Sequence, residues 1–187
     1  MTKTVELFYD VASPYSYLAA AMMPRIEKLA PVVWRPFLIG GVFKACNNVM
    51  PASVPAKGQY MFQDLKRLFA YYNEPFSFPS RFPMNSLLAM RCLTAVAPEQ
   101  RAEVSLKLFR AYWAEDADLT DAEVLGRLVG ADILARATDD AVKAELKATT
   151  DEAAKRGAFG APTLFVGDDM YFGEDRIFLI EHALQQG

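Results

Sequence analysis

Thr4 to Tyr9 is a short run of apolar and β-forming residues, broken by Asp10 to Ser13 and followed at once by Pro14. A proline at that point has no amide to leave unpaired, so it suits the first turn of a helix, expected over Tyr15 to Ala30. Pro24 removes one bond inside that helix and should kink it or end it early. Val32 to Phe37 then reads as a second strand, with Pro36 marking its edge. The first forty residues therefore spell β-α-β, with a serine standing where the first strand hands over to the first helix.

The middle of the chain changes texture. From Gly40 to Phe82 a loop rich in Gly, Asn and Pro surrounds one helix, about Gly58 to Asn73. Asn85 is placed to cap a helix reaching Ala97, and Pro98 opens another that runs to about Glu115. Thr120-Asp121-Ala122-Glu123 has the form of a capping box for a short helix to Val129. Thr138 starts a long helix with Gly157 as its stop. Strands return only at Thr163 to Val166 and Met170 to Phe172, around a Gly167-Asp168-Asp169 turn, and a helix from Glu174 to Gln185 follows.

Late in the chain, Gly160-Ala161-Pro162-Thr163 stands directly before a strand. Ser13-Pro14 at a strand–helix junction and Ala161-Pro162 at a strand start are each commonplace alone. Together, in this order, they fit the redox corner of a thioredoxin-type fold, where a helix N-terminus faces a cis-proline. The fold class is thus α/β, thioredoxin-like, with residues 1–39 and 151–187 forming the thioredoxin-like part and 40–150 an inserted helical subdomain.

That corner ordinarily carries Cys-x-x-Cys, because helix amides and the helix dipole lower a thiol's pKa. Here Ser13-Pro14-Tyr15-Ser16 occupies it, so the chain cannot exchange a disulfide of its own there. A serine hydroxyl can still donate to a thiolate brought by a ligand, and glutathione is the thiol a reducing compartment offers. The only cysteines, Cys46 and Cys92, lie far apart in unlike contexts, read as free thiols, and favour a cytoplasmic protein. A net charge of −3 with interspersed signs gives no pull toward nucleic acid, and no apolar run is long enough for a membrane span. With a single histidine and unclustered cysteines, no metal is expected.

Along essentially its whole length the chain resembles the 2-hydroxychromene-2-carboxylate isomerases and the kappa-class glutathione transferases. The resemblance rests on Phe8-Tyr9-Asp10 with Ser13 to Ala19, Gly40 to Lys44 with Asn48, Pro55-Ala56-Lys57 and Phe82 to Ser86. It continues through Phe109 to Trp113, Gly160 to Thr163 and Phe172-Gly173-Glu174-Asp175-Arg176. It implies that Ser13 faces the glutathione sulfur and that Ala161, with Pro162, offers its backbone to the cysteinyl unit. Glu174 and Asp175, with Arg176 beside them, would hold the γ-glutamyl end, and Asn48 and Lys57 would complete the cleft. Lys44, Asn47, Asn48, Arg81 and Asn85 are the residues it implies for the substrate side, with Lys44, Lys57 and Arg81 as candidate partners for a substrate carboxylate. The isomerases carry Gly-Asn where this chain has Asn47-Asn48, and asparagine tolerates the left-handed turn a glycine would make.

The activity so implied is interconversion of 2-hydroxychromene-2-carboxylate and trans-o-hydroxybenzylidenepyruvate in aromatic catabolism, by reversible addition of the glutathione thiolate. Glutathione would be the cofactor, a small aromatic carboxylate the substrate and a homodimer the assembly. Conjugation or peroxide reduction by a kappa-class-like transferase is the alternative, since it needs the same thiolate site and differs only in the acceptor.

Overall fold

The computed structural model describes residues 3–186. Its four strands are β1 (Val5–Tyr9), β2 (Val32–Pro36), β3 (Thr163–Val166) and β4 (Asp169–Phe172). They form one mixed sheet in the order β2-β1-β3-β4. β2 runs parallel to β1 with Val5 opposite Val32, while β3 runs antiparallel to β1 with Val5 opposite Val166. The parallel pair needs a crossover, and α1 (Pro14–Ile26) supplies it, as a β-α-β pattern requires. Pro24 sits in the last turn of α1, and the helix stops two residues later.

Between β2 and β3 lie α2 (Ile39–Cys46), α3 (Pro55–Tyr72), α4 (Leu87–Ala95), α5 (Pro98–Trp113), α6 (Ala122–Val129), α7 (Ala131–Arg136) and α8 (Asp140–Lys155). A 3₁₀ turn, Pro51–Ser53, precedes α3, and after β4 a second, Glu174–Arg176, leads into α9 (Ile177–Gln185). The sheet and helices share a core in which Tyr17 stacks on Phe109 with centroids 5.6 Å apart. Trp113, wholly buried, ties α5 to the end of β1 by donating its indole N–H to the Val11 carbonyl at 2.9 Å.

Several sequence expectations shift. The helix expected from Asn85 begins at Leu87 with Ser86 as N-cap, and Asn85 instead accepts the Leu87 amide at 3.0 Å. The cap of α6 is Asp121 rather than Thr120, its carboxylate accepting the Glu123 amide at 2.7 Å. The boundary expected at 150/151 falls inside α8. Most consequentially, α2 and α7 were absent from the sequence reading. Gly40-Gly41 looked like loop, yet a Cβ at position 41 would come within 2.7 Å of the Thr150 methyl group. Glycine there lets α2 lie close against α8.

Candidate functional site

Ser13 is the N-cap of α1, in extended geometry (φ −98°, ψ 117°) that only a residue just outside the helix adopts. Its Oγ accepts the Ser16 amide at 3.2 Å and donates to the Ala161 carbonyl at 2.9 Å. Only 4% of Ser13 is exposed. The partner strand arrives through a cis Ala161–Pro162 bond, so the start of α1 and the start of β3 meet at this hydroxyl. The first turn of α1 carries no acidic residue to offset its amide dipoles. The amides of that first turn therefore favour an anion locally, and the corner holds a hydroxyl able to turn toward one.

This corner opens into a cleft of about 590 Å³. Ser13 and Pro14 form its base, with Ala161 and Pro162 across from them. Asn48, after α2, closes one side by donating its amide to the Phe159 carbonyl at 2.9 Å. Lys57 lies in the first turn of α3, and Met61 and Asp64 follow it at i+4 and i+7, which puts all three on one face of that helix and into the cleft. Gly160 lets the Phe172 ring approach, since a Cβ there would sit 2.8 Å from it. Phe43, Phe82 and Met84 make much of the remaining wall apolar.

At the far end three carboxylates converge, Asp64 on α3 with Glu174 and Asp175 after β4. Gly173, at φ 95°, turns the chain into this corner. Glu174 is 7% exposed. Burial first, and then the charges of Asp175 and Asp64, push its carboxyl up to about 7, against its own backbone amide and Arg176. Burial and the same Glu174 and Asp64 charges raise the neighbouring Tyr15 hydroxyl. An end so crowded with negative charge is suited to a ligand ammonium group.

Of the residues singled out from sequence, Ser13, Asn48, Lys57, Ala161, Pro162, Glu174 and Asp175 line this one cleft. Five others lie outside its lining. Lys44 is on the exposed side of α2. Asn47 caps α2 in the left-handed region, φ 53°, so the turn survives without glycine but the side chain is not part of the wall. Arg81 pairs outward with Asp118 at 3.2 Å. Asn85 is spent on the Leu87 amide. Arg176 pairs with its neighbour Asp175 at 2.6 Å. Sequence reasoning passed over Asp64, although its spacing from Lys57 carried the signal. It also passed over the Phe43 wall, because α2 was read as loop. Cys46 is exposed and Cys92 buried, its thiol pushed up to about 11 by burial, and neither lines the cleft.

A helix N-terminus facing a cis-proline across a mixed sheet, with helices set between its strands, defines a thioredoxin-type protein of the DsbA kind. Residues 4–185 match the DSBA-like thioredoxin domain. The chain is 36% identical over 205 residues to Glutathione S-transferase kappa 1 of Rattus norvegicus, covering 97% of this chain and 91% of that protein. It is 31% identical over 196 residues to 2-hydroxychromene-2-carboxylate isomerase of Sphingobium xenophagum, covering 98% and 99% respectively. A solved 2-hydroxychromene-2-carboxylate isomerase structure superposes with a TM-score of 0.87 at 25% identity, over 98% of this chain and 95% of that one. The chain belongs to the DsbA-like thioredoxin-domain family, in the group of the 2-hydroxychromene-2-carboxylate isomerases and kappa-class glutathione transferases. Among the described residues, no helix is long and apolar enough to cross a membrane, and no cluster of His, Cys, Asp or Glu could hold a metal ion.

Proposed function

We propose that the cleft binds glutathione, activates its thiol at Ser13, and uses it to isomerise a conjugated aromatic carboxylate. The observation that carries this reading is the Ser13 hydroxyl, buried at the start of α1 and bonded to Ala161 in a cleft whose described lining includes no cysteine. The site fits a cysteinyl ligand. Among the described residues no hydrogen bond occupies the Ala161 amide, although Ala161 lines the cleft and is 6% exposed. A strand-like partner would satisfy it.

Glutathione held there would supply the thiolate nucleophile for a reversible addition that lets 2-hydroxychromene-2-carboxylate and trans-o-hydroxybenzylidenepyruvate interconvert. Ser13 turns its proton from the Ala161 carbonyl toward the sulfur and holds the negative charge. The α1 N-terminus adds about 0.3–1 kcal/mol in the same direction. Glu174, Asp175 and Asp64 hold the ammonium of the γ-glutamyl end, and Asn48 keeps the wall beside Phe159 closed. Lys57 remains to meet the substrate carboxylate. A reducing cytoplasm and a homodimer belong to the same reading.

A second reading, conjugation of glutathione to an uncharged electrophile, is favoured by one feature. Lys57 is the sole cation among the cleft's described lining, set against three carboxylates and a largely apolar wall. If it neutralises glutathione's own glycyl carboxylate, none is left for an anionic acceptor.

Two measurements test this. Titrating the ultraviolet thiolate band of bound glutathione should give a thiol pKa below that of the free tripeptide, and an unshifted value would sink the thiolate site. Conversion of 2-hydroxychromene-2-carboxylate only when glutathione is present supports the isomerase. No conversion, alongside conjugation of a chloronitrobenzene, selects the transferase.

A further inference from the structure

Beneath the cleft lies a charged group that none of these roles uses. Asp10 follows β1 and is fully buried, 0% exposed. Its carboxylate accepts three bonds: the Ala12 amide at 2.9 Å on one oxygen, and on the other the Ile39 amide at 2.9 Å and the Ser86 hydroxyl at 3.0 Å. Burial drives its pKa up and these three donors oppose it. A buried carboxylate is costly to keep, so what its bonds join is informative.

Ile39 is the first residue of α2, whose N-cap Leu38 supplies no side-chain acceptor. Ser86 is the N-cap of α4, yet its hydroxyl is turned away from that helix and given to Asp10. One carboxylate thus accepts the first amide of α2 and the hydroxyl of the α4 N-cap residue, joining the starts of two helices. Capping alone would need no such sharing, because a serine or aspartate at each helix start does it locally. The three bonds also lead to three different walls. Ala12 precedes Ser13, Ile39 opens the helix that carries Phe43, and Ser86 follows the cleft residues Phe82, Pro83 and Met84.

We infer that Asp10 is a positioning residue that locks the Ser13 corner, the α2 wall and the 82–84 wall at one fixed spacing. It does not line the cleft and acts through the groups it holds. A cleft held this way binds with less ordering cost and keeps sulfur and acceptor in register. The coupling rests on the geometry alone; its consequence for catalysis rests on the glutathione reading above.

Asp10→Asn tests it with little change of size. The amide nitrogen can donate but cannot accept, so whichever way it turns, either the Ile39 or the Ala12 N–H loses its partner. Hydrogen exchange should then show residues 11–14, 39–43 and 84–88 losing protection together, by about tenfold, while α8 and β3 keep theirs. Exchange that rises only at 10–12, or evenly over the chain, overturns the coupling whether or not glutathione binds. In activity, Asp10→Asn should lower kcat about tenfold and raise the pKa of the bound thiol. Ser86→Ala, which cuts one bond only, should raise KM for the acceptor and leave the thiol titration in place. A merely structural Asp10 would lower the unfolding temperature with kcat and thiol pKa unmoved, and that outcome defeats the proposal. A native protein that fails to shift the thiol of bound glutathione defeats the glutathione reading instead, with the exchange result still standing.

Discussion

The two ends of the cleft are made differently. The sulfur end sits on regular elements: Ser13 on the start of α1, Ala161 on the approach to β3, both buried and bonded to each other. The wall proposed to face the acceptor is made largely of connecting segments, Met50, Pro51 and Val54 together with Phe82 to Met84. A group on packed elements has its direction set by the core. A group in a connecting segment takes its direction from whichever partner is in reach. In the glutathione reading proposed above, the thiolate site then rests on packed elements, and the wall proposed to face the acceptor rests on connecting segments that need an anchor such as Asp10.

The largest effect is expected where Ser13 is removed. Ser13→Ala deletes the side-chain hydroxyl bonded across the corner and should lower kcat by about 10²-fold, in line with the loss of one preorganised donor. The pKa of bound glutathione's thiol should rise at the same time, as seen in its ultraviolet titration. Ser13→Cys restores a group of similar size but not the activity, because a thiol is a weak donor. Unchanged turnover in Ser13→Ala would move the thiolate site elsewhere.

Glu174 supplies the next largest effect, with opposite signs for stability and function. Its carboxyl is raised to about 7 from an ordinary 4.5, chiefly by burial. Between those two pH values the folded protein keeps a proton that the unfolded chain has lost. Its stability therefore falls as pH rises across that window and gains nothing back above it. Glu174→Gln should accordingly raise stability at pH 8, by on the order of 2 kcal/mol, and make no difference at pH 4. Glutathione affinity should move the other way. The native protein should bind more tightly as pH rises through 7, and the Gln variant should bind weakly at every pH. Denaturant unfolding and calorimetric titration at the two pH values check both halves. A variant that gains stability and keeps full affinity would remove Glu174 from ammonium recognition.

The same division explains what could be read from residues alone. Ser13-Pro14 and Ala161-Pro162 were legible because N-cap and proline chemistry is local, decided within a few residues whatever lies around them. The alternation of strands and helices was legible for a similar reason, since periodicity survives folding. Helix α2 was hidden because its Gly40-Gly41 pair signals loop locally. Its partners, Asp10 at its first amide and Thr150 against Gly41, lie far away in sequence. Asp64 is marked in sequence by its i+7 spacing from Lys57, whereas Asp10 is a hub only through Ile39 and Ser86, which the fold brings to it.

Lys57, at the start of α3, and Arg81, in the segment before α4, test the acceptor side, and both effects should be small. Each was a candidate partner for a substrate carboxylate, and the structure separates them. Lys57 lies on the cleft face of α3, and Lys57→Ala should raise KM for an anionic acceptor several-fold while leaving kcat nearly intact, since an exposed charge binds ground and transition states alike. Arg81 points outward to Asp118, and its carbonyl rather than its guanidinium is held inward, accepting the Tyr112 hydroxyl at 2.8 Å. Side-chain truncation leaves that carbonyl bond in place, so Arg81→Ala should change KM by less than about twofold. Steady-state kinetics on a charged and an uncharged acceptor distinguish the cases. If Lys57→Ala weakens both acceptors equally, its partner is glutathione's own carboxylate, and the transferase reading gains over the isomerase. If Arg81→Ala proves the larger effect, the 81–84 segment must turn inward on binding, and the outward pairing with Asp118 describes only the open cleft.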